Sequence, residues 1–367
     1  MVKTSDIGWG SYGGFEGPYC WGKKKYVVPS TPEFKDKLLG VTVSTEGGTL
    51  DAVNLYDRCV LSVGCIQYCE AVFALSRMLG SCADAGCIDT INGALSGLPV
   101  PLEFAKNERG SWRFKSGLGF LDSVQKMQAA FLGGSTGLKG QWTGDQRVHA
   151  TAVAAAFVNL WSDQAMCDAQ CAYARETVWS FVTPASRTAL ASDTSNDGWS
   201  GALKAAVTSY SANLPAVAES MIRKVIATPA WAGSPQDRYT VTCKQMALGS
   251  GVRIWPERYG KIAPRISALF GVSVPSLKDL QDWNGPASDI HGPTDDPLDT
   301  VAEIQGFLVS QGADLGPAGS DGVYGKKTKD AVSAFQASRG LTPDGVVGPK
   351  TKAAMQAVLD ARLPTRR

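Results

Sequence analysis

Histidine, net charge and long apolar runs are all scarce in this chain of 367 residues. It has two histidines, His149 and His291, so a zinc site built from several imidazoles is poorly supplied. The formal net charge of +2 provides no basic field of the kind that nucleic acid binding requires. No apolar run reaches the roughly 18–20 residues of a membrane span. We therefore predict no metal, no cofactor, no nucleic acid partner and no stable membrane association.

An even cysteine count and a signal peptide are also lacking. The nine cysteines are an odd number, which argues against a complete disulfide framework. We expect them to be small buried hydrophobic residues, with one local bridge, Cys82–Cys87, left open. The first twenty residues contain no apolar signal-peptide core, so we expect a chain that is made in the cytoplasm.

Composition separates the chain into two parts. Residues 284–299 contain three prolines, two glycines and four aspartates without helical or strand periodicity, which is typical of a linker. We predict a large domain at 1–283, whose first 29 residues form an arm, and a small domain at 300–367. Helical apolar periodicity in segments 61–80, 149–182, 214–228 and 258–272 predicts a mainly α fold.

The small domain contains an internal repeat. DGVYGKKTKDAV at 321–332 recurs at 344–355 as DGVVGPKTKAAM. Each Asp-Gly pair suits a tight turn, and each threonine suits the N-cap of a following helix. With residues 301–311 as the first helix, the pattern predicts a three-helix bundle.

This tail resembles the peptidoglycan-binding type 1 domain. The resemblance rests on Ile304-Gln305, on both Asp-Gly motifs, on Phe335-Gln336 and on Gly340-Leu341. It implies a cell-wall anchor that binds stem peptide or glycan, so that peptidoglycan is the partner. The wall-binding residues that it implies are Asp321, Tyr324, Phe335, Gln336 and Asp344. A helical bundle with an unrelated partner is the alternative.

In the large domain, the carboxyl group of Glu46 lies beside a Gly-Gly pair in the stretch STEGGTLDAVNLYDR. Ser30, the following Thr-Pro and Glu33 are typical of a helix start, and we expect that helix to end at Gly47-Gly48 with Glu46 in its last turn. The negative end of a helix and an apolar neighbourhood both favour the protonated form of a carboxyl group. Such a group suits a glycosidic general acid, whereas a solvated glutamate without a role is the plain alternative.

Several polar residues that follow Glu46 could hydrogen-bond sugar hydroxyls and N-acetyl groups. They are Asn54, Tyr56, Asp57, Ser62 and Gln67. Gly64 would let the backbone approach a bound ring. Structural explanations stay open for each residue: Asn54 or Asp57 closing a turn, Tyr56 in the core, or Ser62 capping a helix that begins near Cys65.

Glu46 followed by Ser62-x-Gly64-x-x-Gln67 resembles the catalytic core of the lysozyme-like superfamily, above all lytic transglycosylases and goose-type lysozymes. The resemblance implies a helical catalytic domain with Glu46 as the acid, Ser62 and Gln67 on a segment entering a helix, and Tyr259 lining the cleft. Gly-Gly after the acid and Cys-Ile before Gln67 depart from the family pattern. Together with the tail, the resemblance implies a phage endolysin that reaches the wall after membrane permeabilisation.

The implied reaction is cleavage of the β-1,4 bond between N-acetylmuramic acid and N-acetylglucosamine. A lytic transglycosylase uses Glu46 alone, whereas a hydrolytic muramidase needs a second carboxylate, for which Asp51 and Asp57 are candidates. A non-catalytic wall-binding or virion protein is the alternative from another class. A wall amidase or endopeptidase needs zinc ligands or a Cys/His pair, and no cysteine has a motif that would pair it with His149.

Other glutamates compete for the role of the acid. Glu70 either faces the cleft or is an exposed helix charge. Glu103 and Glu108 lie in the stretch 93–145, which has no regular pattern, and Glu257 suits the first turn of a helix. We expect a monomer, because nothing in the sequence requires more.

Overall fold

The computed structural model describes residues 2–12, 14–46, 48–56, 59–117, 119–191, 193–252, 254–283, 301–315 and 324–360. These residues are mainly helical, with two small sheets, as the sequence predicts. The contacts divide the chain into unit 1, Met1–Val28 with Glu46–Thr177, and unit 2, Pro29–Thr45 with Val178–Arg367. The predicted linker lies outside the described residues, so the predicted domain boundaries stay a prediction. None of the described helices is long and apolar enough to cross a membrane.

A five-stranded antiparallel sheet lies in unit 1. Its strands, in spatial order, are β1 (Gly8–Tyr12), β2 (Phe15–Cys20), β3 (Val53–Asn54), β4 (Ser62–Val63) and β5 (Tyr68–Cys69). The register pairs Tyr19 with Asn54, Asn54 with Ser62, and Ser62 with Cys69. The predicted N-terminal arm therefore supplies two strands to the sheet that follows Glu46.

A second sheet occupies the stretch for which no regular pattern was found. It comprises β6 (Glu103–Lys106), β7 (Trp112–Ser116) and β8 (Gly119–Phe120). Phe104 and Phe114 face inward, and the Phe114 ring lies 5.2 Å from Phe131 and 5.9 Å from Phe157. The strands are too short for their alternation to stand out from the glycines and serines around them.

The helices of unit 1 are α2 (Ala74–Cys82), α3 (Ile88–Ser96), α4 (Val124–Leu132), α5 (Gly144–Leu160) and α6 (Gln164–Thr177). The helix predicted over 149–182 is confirmed by α5 and α6, which are separated by a short break after Leu160. The prediction of a helix over 61–80 is wrong before Ala74. Residues 62–69 form a hairpin, whose turn requires positive φ at Gly64 (89°) and Gln67 (52°) and so interrupts any helix.

Unit 2 is helical throughout its described elements. Its helices are α1 (Phe34–Thr42), α7 (Pro184–Leu190), α8 (Gly198–Asn213), α9 (Pro215–Ile226), α10 (Pro235–Lys244), α11 (Trp255–Phe270), α12 (Leu277–Asp282), α13 (Val301–Ser310), α14 (Lys326–Ser338) and α15 (Pro349–Asp360). The helices predicted at 214–228 and 258–272 are confirmed by α9 and α11. The central helix is α8, which is buried from Ser200 to Ser211 and packs against α1, α9, α10 and α11.

The first helix, α1, is shorter than predicted at both ends. Its N-cap is Glu33, not Ser30, and the backbone N–H of Glu33 donates to the Asp36 carboxylate (3.0 Å). Near its end, the Ser44 hydroxyl donates to the Val41 carbonyl (2.6 Å) and the Thr45 hydroxyl to the Thr42 carbonyl (2.9 Å). These hydroxyls satisfy carbonyls that a longer helix would use, so the helix stops at Thr42.

The C-terminal helices α13, α14 and α15 form the predicted bundle. Its core contains Ile304, Phe307, Leu308, Val332, Phe335 and Met355. These residues come from all three helices at helical spacing, so the bundle buries one apolar stripe from each.

Candidate functional site

Glu46 lies directly after the turn that ends α1, not in the helix itself, so its predicted place in the last helical turn is wrong. Within unit 2, the Arg258 guanidinium donates to the Thr45 hydroxyl (2.7 Å) and to the Ser209 carbonyl (2.9 Å). This buried cation holds the residue that precedes Glu46. Glu46 itself is half-buried, and its Oε1 is shielded from solvent. The neighbouring Thr45 therefore fixes the backbone at Glu46, and one oxygen of the Glu46 carboxyl group is shielded from solvent.

The sheet brings two predicted site residues together. Asn54 on β3 lies directly opposite Ser62 on β4, and both are buried. The Asn54 Oδ1 accepts from the backbone N–H of Tyr56 (2.8 Å), which is the turn-closing role left open by the sequence. Ser62 lies in a strand, so the helix-capping explanation for this residue is wrong. Asp57 lies outside the described residues.

Gln67 occupies a strained turn, not the start of a helix. Its φ is +52°, and its Nε2 donates to the Gly64 carbonyl (3.1 Å). Its Oε1 is buried and has no hydrogen-bond partner among the described residues. Within that part of the chain, the non-glycine residues with positive φ are Val60, Gln67 and Phe73, all in one short stretch. Strain and an unsatisfied buried acceptor in one place are features of functional sites.

Gln170 on α6 holds this turn, and the motifs in the sequence do not reveal it. Its Oε1 accepts from the backbone N–H of Cys65 (2.9 Å), and its Nε2 donates to the Leu50 carbonyl (3.0 Å). A Cβ at Gly64 would lie 2.6 Å from the Gln170 Oε1, so the space predicted for a bound ring is filled by protein. The available signal was a glutamine within the apolar stripe Cys167, Gln170, Ala174, all of which are buried.

Two other carboxyl groups of unit 1 have structural partners. The Asp51 carboxylate accepts from the backbone N–H groups of Lys23 and Lys24, at 2.9 Å each. Glu70 is fully buried, so the alternative of an exposed helix charge is wrong. Its carboxyl group accepts from the backbone N–H (2.8 Å) and hydroxyl (2.7 Å) of Ser76 in the first turn of α2. Burial raises the pKa of Glu70 to about 7, against the opposing effects of Ser76, Arg113 and Arg77.

The remaining candidate acids lie at the surface. Glu103 pairs with Lys115 (3.3 Å) and Glu257 with Lys261 (2.8 Å), and Glu108 is exposed. Exposed pairs of this kind contribute little to stability and do not make a carboxyl group a catalyst.

Tyr259 belongs to unit 2, on α11. The residue is fully buried, and its hydroxyl donates to the Pro275 carbonyl (2.7 Å). Burial raises the pKa of this hydroxyl far above its ordinary value. These contacts are those of a core residue, and the role in the cleft stays a prediction that they do not favour.

One disulfide, Cys59–Cys69, spans the hairpin that carries Ser62 and Gln67. Antiparallel pairing of β4 with β5 brings the two Cα atoms to 5.0 Å, within the range that a disulfide requires. The alternative bridge Cys82–Cys87 is wrong, because both thiols are free and buried in and after α2. Most other cysteines are buried, as expected of small apolar residues.

In the tail, Gln336 organises the second Asp-Gly turn. Its Nε2 donates to Asp344 Oδ1 (2.8 Å), the Val346 carbonyl (2.9 Å) and the Thr351 hydroxyl (2.9 Å). Its Oε1 accepts from the Gly345 N–H (2.9 Å). The equivalent Gln305 donates to Thr328 (2.9 Å), so the sequence repeat is also a repeat of contacts.

The other residues implied to bind the wall have different surroundings. Phe335 lies in the core against Phe307, with ring centroids 5.2 Å apart. Tyr324 is 38% exposed and donates its hydroxyl to the Gly345 carbonyl (2.9 Å). Asp321 lies outside the described residues. A groove of about 410 Å³ lies beside Gln336 and Asp344, and its lining includes Leu341, Thr342 and Lys350.

Comparison with known proteins identifies the tail. Residues 298–355 match a family model described as a peptidoglycan binding domain. No characterised protein and no solved structure matches the chain. The tail therefore indicates peptidoglycan as a partner, and the rest of the chain has to be interpreted from its own geometry.

Proposed function

We propose that this chain cleaves the glycan strand of peptidoglycan at the β-1,4 bond between N-acetylmuramic acid and N-acetylglucosamine, with Glu46 as general acid and base. The proposal is carried by the local architecture of unit 1. Glu46 is followed by paired strands with Asn54 opposite Ser62, and then by the strained turn with the buried Gln67 Oε1. The wall-binding tail supports peptidoglycan as the substrate.

The proposed chemistry uses one carboxyl group twice. Protonated Glu46 donates its proton to the glycosidic oxygen as the bond to C1 of the muramic ring breaks, leaving an oxocarbenium-like sugar. The Glu46 carboxylate then accepts the proton of the C6 hydroxyl on the same sugar, whose oxygen bonds to C1. The products are a 1,6-anhydro muramic end and a free N-acetylglucosamine hydroxyl, with no water consumed. This is the reaction of a lytic transglycosylase.

The contacts of Asp51 support this single-acid mechanism. Both of its carboxylate oxygens accept backbone N–H groups of the Lys23-Lys24 segment, so Asp51 is engaged in holding the chain. A hydrolytic muramidase would need another carboxylate to activate water. Asp57 is the remaining candidate, and hydrolysis is the second form of the proposal.

Mass spectrometry of the fragments released from purified peptidoglycan tests the proposal. A transglycosylase releases muropeptides lighter by one water than the hydrolytic products, and a muramidase releases reducing muramic ends. We expect the wild-type chain to release the anhydro form and Glu46→Gln to release none, while the variant still sediments with the wall. Absence of fragments from the folded wild-type chain would leave wall binding, or a role in a virion, as its function.

Glu70→Gln is the matched control for Glu46→Gln. Each substitution removes one proton donor and keeps the shape of the side chain, and both residues lie in unit 1. We expect Glu70→Gln to keep most of the activity, because the Glu70 carboxyl group is buried against Ser76 and out of reach of a sugar. The opposite pattern, with activity lost in Glu70→Gln and kept in Glu46→Gln, would transfer the role of the acid to Glu70.

The proposed biological setting is that of a phage endolysin. Such an enzyme accumulates inside the cell and degrades the wall once the membrane is opened. We expect cells that express the chain to remain intact until the inner membrane is permeabilised, and then to lyse. Lysis at the same rate with Glu46→Gln would contradict this setting.

A further inference from the structure

Three aromatic rings cluster on the sheet of unit 1, on the side of the N-terminal hairpin. Ring centroids are 5.8 Å apart for Tyr19 and Trp21, 5.7 Å for Tyr19 and Tyr56, and 6.3 Å for Trp21 and Tyr56. Trp21 is 44% exposed, and the two tyrosines are half-buried. We call these residues the aromatic trio.

Two glycines of β1 make room for the trio. A Cβ at Gly8 would lie 2.9 Å from the Tyr19 ring, and a Cβ at Gly10 would lie 3.1 Å from the same ring. The alternating glycines in GWGSY therefore let the Tyr19 ring lie flat on the strand. Trp9, between them, packs on Trp142 (5.1 Å) away from the trio. The hairpin thus holds a set of rings at the surface of the sheet.

The exposed Trp21 has a rigid backbone. Its carbonyl accepts from the Thr49 hydroxyl (2.8 Å), and Asp51 binds the N–H groups of the next turn. Gly22, at φ +54°, lies so close to Asp51 that a Cβ would be 2.1 Å from its Oδ1. The exposed part of the Trp21 ring gains nothing for folding, and it belongs to a contiguous aromatic surface with two tyrosines, which is the kind of surface that marks ligand sites.

The Thr49 hydroxyl, which donates to the Trp21 carbonyl, links the trio to the segment that follows Glu46. Thr49 is three residues from Glu46, so their Cα atoms lie within about 11 Å of each other. Tyr56 belongs to the trio and follows Asn54, which pairs with Tyr19 in the sheet. The trio therefore extends the candidate site of unit 1 toward the N-terminal hairpin.

We propose that the aromatic trio is a glycan-binding subsite that holds an N-acetylated sugar next to the cleavage position, an inference that rests on the proposed function. Pyranose rings present apolar C–H faces with hydroxyls at the edge, which matches an exposed indole beside two tyrosine rings. Peptidoglycan supplies such sugars in repeating β-1,4 linkage, and the tail of the same chain matches a peptidoglycan-binding domain. The occupant of the trio is thus the glycan strand.

Calorimetric titration of the full-length Glu46→Gln variant with chitotetraose tests the subsite without cleavage. In that background we expect Trp21→Ala to weaken binding about tenfold, the loss of one stacked ring, and Trp21→Phe to restore most of it. Val27→Ala is the matched control, because Val27 is an exposed apolar residue of the same arm (78%), and it should leave the affinity unchanged. With Glu46 intact, Trp21→Ala should raise KM more than it lowers kcat.

Several outcomes would overturn the subsite. The first is that Trp21→Ala binds chitotetraose as tightly as its parent, and the second is that Val27→Ala loses as much affinity as Trp21→Ala. The third is that Trp21→Ala changes the oligomeric state without changing sugar binding. The last would assign the trio to a contact between copies of the chain. Failure of the subsite is distinguishable from failure of the proposed function. If the wild-type chain binds the sugar at the trio but does not cleave glycan, the proposed function fails and the subsite stands. If the wild-type chain cleaves glycan and Trp21→Ala binds sugar as tightly as its parent, the subsite fails and the proposed function stands.

Discussion

Burial moves the titration of the Glu70 carboxyl group into the neutral pH range. Its carboxyl group accepts the N–H and hydroxyl of Ser76 and so caps α2, yet burial raises its pKa from 4.5 to about 7. The folded chain therefore binds this proton more tightly than the unfolded chain does. Stability from this group is fully present below about pH 4.5 and is lost as pH rises toward 7.

Glu70→Gln should remove that pH dependence. The amide keeps an acceptor for Ser76 and cannot ionise. The unfolding free energy of the variant minus that of wild type should therefore be larger at pH 8 than at pH 5. The difference should be a few kcal/mol at most, since one pKa unit corresponds to about 1.4 kcal/mol. Urea unfolding of both proteins at the two pH values measures it. A difference in unfolding free energy that stays constant between pH 5 and pH 8 would contradict the prediction.

Gly64 has a second requirement besides its φ of +89°, because the Gln170 side chain fills the space beside it. Gly64→Ala should therefore cost about 1–3 kcal/mol in unfolding free energy. Gly93→Ala is the control, since Gly93 lies exposed inside α3 with nothing within 4 Å, and alanine should stabilise that helix by up to about 1 kcal/mol. Thermal unfolding of the two variants compares them, and equal melting temperatures would show that Gly64 is not constrained.

At the scale of the element, the hairpin β4–β5 concentrates the unusual features of unit 1. It contains Ser62 and Gln67, it is closed by Cys59–Cys69, and Gln170 holds its turn. Short strands with strained turns have few ladder hydrogen bonds of their own. The disulfide and the buried glutamine therefore supply much of the order of this hairpin.

Reduction of Cys59–Cys69 should lower the unfolding free energy by about 3 kcal/mol, the chain-entropy value for a loop of this size. The double variant Cys59→Ser, Cys69→Ser should start at the lower value and show no response to a reductant. Urea unfolding with and without dithiothreitol measures both proteins. A wild-type chain that contains the disulfide by mass and yet ignores the reductant would refute this contribution.

At the scale of the whole molecule, the two proposed tasks, wall binding and glycan cleavage, fall in different units of the chain. The tail, which matches a peptidoglycan-binding domain, is a bundle in unit 2, and the proposed cleavage site lies in unit 1. Because the two sites lie in different units, a substitution in the tail should weaken wall binding without affecting the proposed cleavage, provided that it does not unfold the rest of the chain.

Gln336→Ala should weaken binding to the wall and spare cleavage. The substitution leaves the Gly345 N–H without its partner, at about 1–3 kcal/mol, and removes the contacts of Gln336 with Asp344 and Thr351 that hold the second Asp-Gly turn. We expect less protein to sediment with purified peptidoglycan, and unchanged cleavage of soluble glycan fragments. Lys326→Ala, at a surface ion pair, is the control and should behave as wild type. Loss of cleavage in Gln336→Ala with unit 1 still folded would refute the separation.

The sequence by itself determined the features that depend on local periodicity and on near neighbours. Helical apolar spacing predicted α5, α6, α9 and α11 and the mainly α class, because one buried stripe suffices to define a helix. The Asp-Gly repeat predicted α14 and α15, because turn residues act within a few positions of themselves. The prediction that its threonines are N-caps is wrong, since Thr328 and Thr351 lie inside these helices. Both kinds of signal depend on residues that lie close together in the sequence.

Only the tertiary structure decided what depends on partners distant in sequence. The segment 61–73 has helical apolar spacing, yet pairing with β3, the disulfide and Gln170 make it a hairpin. Glu70 is a surface charge by pattern and a buried cap in the fold. Trp21 joins Tyr56 across the sheet from 35 positions away. Burial and cross-strand contact are properties of the folded surface, so no window of sequence contains them.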